Sequence, residues 1–197
     1  MDKARIVVLE EKTNHDFFTG SSCAFGVFDG VHRGHKYLIE HAIRTARPEN
    51  KAIVLTFDID PDELFAKDRL IKLQSNEERI EMLARSGVDI VALLPFTLEF
   101  AKQSPGEFLE WAFGGNTPSH IHIGNGFRFA SKESGTAQDL AQWGSTRKMR
   151  VHEHHLLMHC GKPISATRIR KLLAEENHLV AEKMLGRKFP SNIPNVA

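Results

Sequence analysis

The chain has 197 residues, 41% of them hydrophobic, and its 26 Lys and Arg against 25 Asp and Glu leave a formal charge of +1. That length suits one domain with a substantial core, and the near-neutral balance supplies no broad field for nucleic acid or a membrane surface. Any phosphate recognition therefore has to be local. Cys23 and Cys160 are too few for a disulfide framework and both lie in apolar surroundings, so they read as buried thiols. With no secretory leader and no apolar run of about eighteen residues, the sequence reads as a soluble cytoplasmic protein with no membrane and no nucleic-acid partner.

In chain order, residues 5–9 are a short strand candidate, followed by polar residues to Gly20. A strand, a loop and a first helix occupy residues 22–47, the helix from His35 to Arg47, and Pro48 ends it. Residues 52–57 are a continuous apolar run, which suits a strand covered on both faces, and residues 58–61 are the loop at its end. After a polar, charged passage over 62–72, Ser75-x-x-Glu78 predicts a capping box and a helix over 76–85, stopped near Gly87. Residues 89–94 read as the next buried strand. Ser104-Pro105-Gly106-Glu107 repeats the box with proline at the first helical position and predicts a helix to Phe113. A strand over 120–124, a polar Gly-containing loop to Gly135, a helix over 136–143 and a strand over 150–159 follow. Helices over 165–175 and 177–185 complete the pattern, with Gly186 as the last stop and 188–197 as a short tail. Strands alternating with helices predict an α/β fold, a doubly wound, Rossmann-like mostly parallel sheet, in a single domain over 1–197. Ligands of such sheets sit beyond the strand C-termini at the switch of strand order.

The candidate site follows from one stretch, Gly26-Val27-Phe28-Asp29-Gly30-Val31-His32-Arg33-Gly34-His35. It leaves an apolar strand, turns through glycines and enters a helix, whose first amides have no internal acceptor and suit an anion. His32 and His35, three apart, can point the same way. Two histidines without a third or a partnered cysteine fall short of a zinc set. The crowded His152, His154, His155, His159 and Cys160 divide between two strand faces and cannot serve one metal, so they read as edge-strand histidines; His120 and His122 read as packing or rim residues. The basic run Arg147, Lys148 and Arg150 reads as solvated surface.

The stretch 26–35 is similar to the G-x-F-D-G-x-H-x-G-H signature of the FAD synthetase family. Further likenesses follow in the family's order. Thr56-Phe57-Asp58 resembles T-F-D-P-H-P, Gly124 with Phe127-Arg128-Phe129 resembles V-G-x-D-F-R-F-G, Ile164 to Arg170 resembles I-S-S-T-x-I-R, and Leu185-Gly186-Arg187 resembles the close of the adenylyltransferase module. The resemblance covers about residues 23–187 and implies an FMN adenylyltransferase, ATP and FMN giving FAD and pyrophosphate, standing without a riboflavin kinase module. FMN would then come from a separate riboflavin kinase. It also implies Mg²⁺ arriving on the ATP phosphates, with no metal-binding residues of the protein's own. By the same resemblance His32, His35 and Arg168 are the catalytic candidates. Gly26, Phe28, Asp29, Gly30, Gly34, Gly124, Asn125, Ser165 and Thr167 join them around ATP, and Arg170 forms a structural pair. Phe57, Asp58, Asp60, Pro61, Asn125, Phe127 and Arg128 are placed on the flavin side. Four positions depart from the family pattern: Asp60 for histidine, Gly126 for Asp or Asn, Ala130 for glycine and Ala166 for serine. These departures keep open a related nucleotidyltransferase with another phosphate acceptor, or a non-catalytic nucleotide or flavin binder.

Overall fold

A computed structural model describes residues 3–10, 15–65 and 72–189. Its centre is a six-stranded parallel sheet built from β1 (Arg5–Val8), β2 (Ser22–Phe25), β3 (Ala52–Phe57), β4 (Ile90–Leu94), β5 (His120–Gly124) and β6 (Arg150–His154), in the order β1-β4-β3-β2-β5-β6. The apolar runs become the central strands, and every residue of β2, β3 and β4 is buried because helices cover both faces. On one face α1 (Arg33–Ala46) and α3 (Asn76–Ala84) set Leu38, Ile39, Ala42, Leu83 and Ala84 on Ala24, Val54 and Val91. On the other, α4 (Pro105–Phe113) and α5 (Ala137–Ser145) press Phe108, Leu109, Ala112 and Leu140 on Phe25, Leu55, Ile121 and Ile123. The predicted doubly wound α/β arrangement is what forms.

Local signals explain the helix ends. Both predicted capping boxes are made, at Ser75 with Glu78 and at Ser104 with Glu107, and a third joins Thr136 to Asp139. Boundaries otherwise shift by a residue or two, save in two places. The charged passage after β3 carries a short helix, α2 (Asp62–Phe65), before residues 66–71, which lie outside the described residues. The strand expected over 150–159 stops at His154, and the chain turns into a small antiparallel hairpin, β7 (Met158–His159) with β8 (Lys162–Pro163). That turn leaves Cys160 exposed; only Cys23 is the buried thiol expected. Most of the expected tail, residues 190–197, also lies outside the described residues.

After the hairpin, α6 (Ala166–Ala174) and α7 (His178–Leu185) pack as a pair through Ile169, Leu173, Ala181, Met184 and Leu185. Strand order reverses between β2, which leads on to β3, and β5 on its other side. The crevice at their C-terminal ends is where the functional residues gather.

Candidate active site

A cavity of about 970 Å³ opens at that crevice, at the upper end of the range for small-molecule sites. One end is built from the loop after β2 and the start of α1. Phe28 holds a left-handed backbone (φ 62°), Gly30 another (φ 77°), and Val31 a third (φ 36°), rare for a β-branched residue and typical of strain kept at a functional turn. The φ of 77° favours glycine at position 30, and a Cβ there would also come within 2.7 Å of Leu73 Cδ1, which would have to shift. Gly30 does not line the cavity as expected of an ATP contact. Its carbonyl instead accepts from the Arg187 guanidinium at 2.7 Å.

His32 caps α1: its Nδ1 accepts the His35 amide at 3.2 Å. That bond leaves the proton on Nε2, so His32 is a neutral donor. The His32 and His35 rings stack with centroids 3.5 Å apart. Gly34 permits the fold-over, since a Cβ there would lie 3.1 Å from His32 Cε1. Burial, with a smaller contribution from Arg187, lowers the His32 pKa to about 4. Burial and then the neighbouring His32 hold His35 well below the ordinary histidine value. His35 Nδ1 is buried and has no hydrogen-bond partner. Both imidazoles line the cavity, and both are neutral donors at neutral pH.

The N-terminus of α6 faces this turn across the same cavity, with Ser165, Ala166, Thr167 and Arg170 on its wall. The Ser165 hydroxyl caps the helix by accepting the Arg168 amide at 3.3 Å. The expectation for Arg168 is corrected here. Its guanidinium turns away from the cavity and donates to the carbonyls of His159, Lys162 and Pro163 at 2.8–3.0 Å, fastening the hairpin to the helix. Arg170 takes the inward place. It forms the expected pair, with Asp29 at 2.6 Å, but that pair stands in the cavity wall. The signal that could have found it is in the motif: the fixed arginine of I-S-S-T-x-I-R falls on Arg170, and Arg168 falls on the variable position. Burial raises the pKa of Asp29, with Arg170 opposing the shift.

The other end of the cavity is aromatic. Phe57, Phe96, Phe127 and Phe129 line it while packing on Phe25 and one another, joined by Phe65 and Leu98, both more than half exposed. Asp60, Pro61 and Arg128 line it as expected, as do Gly26, Phe28, Gly124 and Asn125. Burial raises the pKa of Asp60, whose Oδ1 accepts the Asp62 amide at 3.0 Å. Asp58 is a second correction: its Oδ1 accepts the amides of Ile59 and Phe96 at 2.7 and 2.8 Å, clamping the loops after β3 and β4, and it does not line the cavity. Asn125 donates to Glu153 at 3.1 Å, as does the Gly126 amide at 3.2 Å. Phe96, Leu98, Tyr37 and the 154–157 segment line the cavity without having been singled out as site residues. Their signal was positional, since each sits at or near the end of a strand or in the first turns of α1.

Beneath both ends lies Arg79, a fully buried guanidinium. It donates to Val27 O (3.0 Å), Thr56 Oγ1 (2.8 Å), Phe57 O (2.8 Å), Asp58 O (3.2 Å) and Asn76 Oδ1 (3.2 Å). One side chain thereby fixes the loops after β2 and β3 to each other.

Comparison with known proteins bears on this geometry directly. The FAD synthetase family profile matches residues 15–168. The chain belongs to the FAD synthetase family. It is 31% identical over 173 residues to a bifunctional riboflavin kinase/FMN adenylyltransferase of Escherichia coli K12, covering 86% of this chain and 55% of that protein. The protein of the same name from Haemophilus influenzae is 30% identical, with 86% and 56% covered. The chain thus spans little more than half the length of these relatives. Among solved structures, one described as a macrolide-efflux protein from Streptococcus pneumoniae superposes with a TM-score of 0.79 at 26% identity, covering 95% of this chain and 72% of that one. Among the described residues, no helix is long and apolar enough to cross a membrane.

Proposed function

We propose that this chain transfers the adenylyl group of ATP to the phosphate of FMN, giving FAD and pyrophosphate. The observation that carries the reading is the meeting of two capped helix N-termini, α1 and α6, on one cavity that continues into an aromatic end. The relatives named for FMN adenylyltransfer support it.

The polyphosphate end suits ATP. Its free helix amides and dipoles favour an anion, the His32 Nε2–H and the His35 imidazole donate hydrogen bonds without charge of their own, and the Arg170 fork can grip two phosphate oxygens. In the step itself an oxygen of the FMN phosphate attacks the α-phosphorus of ATP. The bond from that phosphorus to the bridging oxygen breaks, and pyrophosphate leaves with the electron pair. The FMN phosphate is already an anion at neutral pH, so it needs no general base. What the protein supplies is position and the stabilisation of charge spreading onto the pyrophosphate.

Among the described residues no three His, Cys, Asp or Glu side chains converge as a metal set. Mg²⁺ would arrive on the ATP phosphates and offset their charge. The aromatic end would take the isoalloxazine ring against Phe57, Phe96 and Phe127. Asp60 favours a second reading, because a carboxylate in the cavity wall disfavours a dianionic acceptor beside it. Incubation with Mg-ATP and FMN, following both FAD and pyrophosphate, tests the choice. Stoichiometric FAD and pyrophosphate are expected. Pyrophosphate appearing only with another phosphate acceptor would move the assignment to the second reading, and binding without turnover would overturn both.

A further inference from the structure

Five imidazoles gather on the α1 side of the sheet edge, none of them used by the adenylyl-transfer reading. His122 on β5 stands opposite His152 on β6, and His120 and His154 lie two residues to either side of that pair, so the contacts between the strands are diagonal. His120 Nδ1 lies 2.9 Å from His152 Nε2, and His122 Nδ1 lies 2.9 Å from His154 Nε2. The rings form a continuous stack, with centroids 5.2 Å apart from His120 to His152, 4.6 Å from His152 to His122 and 5.1 Å from His122 to His154. From α1, His41 meets His154 at 4.6 Å, and Tyr37 meets His41 at 4.5 Å.

Among the described residues, the charges acting on these rings are Arg150 and the neighbouring imidazoles, with no carboxylate among them. β2, alongside β5, places Ser22 opposite His120 and Ala24 opposite His122. α1 contributes His41 and Tyr37, and the charge acting from β6 is the Arg150 guanidinium, on His120 and His152. Two ring nitrogens 2.9 Å apart share a single proton, one donating and the other accepting. A first added proton leaves an imidazolium donating to a neutral ring. A second sets two N–H groups head to head, with no carboxylate to offset them. Burial, then the neighbouring imidazoles, lowers the pKa of His122 to about 3, and burial also holds His120, His152 and His154 below the ordinary histidine range.

Among the described residues β6 is the outermost strand of the sheet and pairs with β5. Its end runs directly into His154, His155, Leu156 and Leu157, which form one wall of the cavity. We propose that the imidazole stack is a proton-operated latch for this wall: it clasps β6 to β5 and α1 while each bonded pair carries at most one added proton, and it releases the strand when acidification loads the pairs further.

The test is amide hydrogen exchange of the intact chain at pH 7.5 and 5.5, corrected for intrinsic rates, comparing β6 with the central strand β3. Protection of the β6 amides is expected to fall about tenfold more than that of β3, and His122→Gln or the double variant His120→Gln/His152→Gln should abolish the difference. Because His15, His32 and His35 also resist protonation through burial, the difference between strands decides, not the global melting temperature. Equal loss in both strands, or an unchanged difference in the variants, overturns the proposal. Nitrogen NMR of the wild-type imidazoles gives an answer that needs no substitution: midpoints of the four strand histidines below the ordinary value of about 6.5 are expected, and independent titrations at that value overturn it. A strand difference that appears only with added zinc and vanishes with EDTA would make the stack a metal site and also overturn it. None of these readouts uses turnover, so this proposal fails or stands apart from the adenylyl-transfer reading.

Discussion

The two ends of the cavity are built by opposite means. The end proposed for the polyphosphate rests on capped helix termini, a part-buried ion pair and two stacked neutral imidazoles. The aromatic end rests on loops, and the one after β5 carries three non-glycine residues in the left-handed region, Ala130 (φ 63°), Lys132 (φ 51°) and Glu133 (φ 55°). A site that must hold a charged tail in one geometry gains from rigid donors. One that must admit a large flat ring tolerates walls of side chains and adjustable loops. On the adenylyl-transfer reading, the chemistry falls to the helical end and recognition of the acceptor to the loops.

The largest expected effect belongs to Arg79, the side chain that serves both ends. Arg79→Met strands several buried acceptors and should cost about 3–5 kcal/mol, read as a drop in urea-unfolding free energy; a loss under about 1 kcal/mol would show that the two loops stand without it. Next comes a contrast on one helix. Arg170→Ala should lower pyrophosphate release by about 10²–10³-fold, whereas Arg168→Ala should change turnover by less than about threefold while costing about 1–2 kcal/mol of stability. Equal turnover in the two variants would erase the distinction between inward and outward arginines.

His32 supplies a pH-dependent case. Its folded pKa of about 4 lies below the unfolded value of about 6.5, so the unfolded chain takes the proton first. The stability linked to its neutrality is whole above the unfolded value and drains away as pH falls from there toward 4, by roughly 3 kcal/mol. Unfolding free energies of wild type and His32→Asn at pH 7.5 and 4.5 should therefore draw closer at the lower pH. A constant gap would mean that the ring is not buried neutral. The smallest effect lies at the aromatic end. Ala130 adopts φ 63° and ψ −169°, a region kept almost wholly to glycine, so Ala130→Gly should stabilise by about 1 kcal/mol and raise the melting temperature by a few degrees. Stabilisation together with an altered response to FMN but not to ATP would sharpen the division between the ends.

Much of this was legible in the chain because the signals were local. The apolar run at 52–57 and the strand read over 120–124 became β3 and β5 at the bounds expected, and Ser75 and Ser104 opened their helices as capping boxes. The loop 26–35 and the helix start at 165 were expected to line one cleft, and they do. What escaped depended on direction. Arg168 and Arg170 lie about 200° apart around one helix, and with polar residues at both positions the hydrophobic pattern does not say which faces the cleft. Alternation from Arg150 onward reads as one long strand, yet the chain leaves the sheet after His154 and returns as a hairpin, because three carbonyls there are gathered by Arg168. Asp58 resembled a ligand residue and serves as a clamp between loops, a role set by a partner 38 positions away.

The bonds that close the polyphosphate end span nearly the whole chain: Arg170 reaches back 141 positions to Asp29, and Arg187 reaches back 157 to Gly30. The sheet, by contrast, has all six strands once residue 154 has been made. During synthesis the strands of the scaffold can therefore be in place before the arginines that close this end emerge from the ribosome.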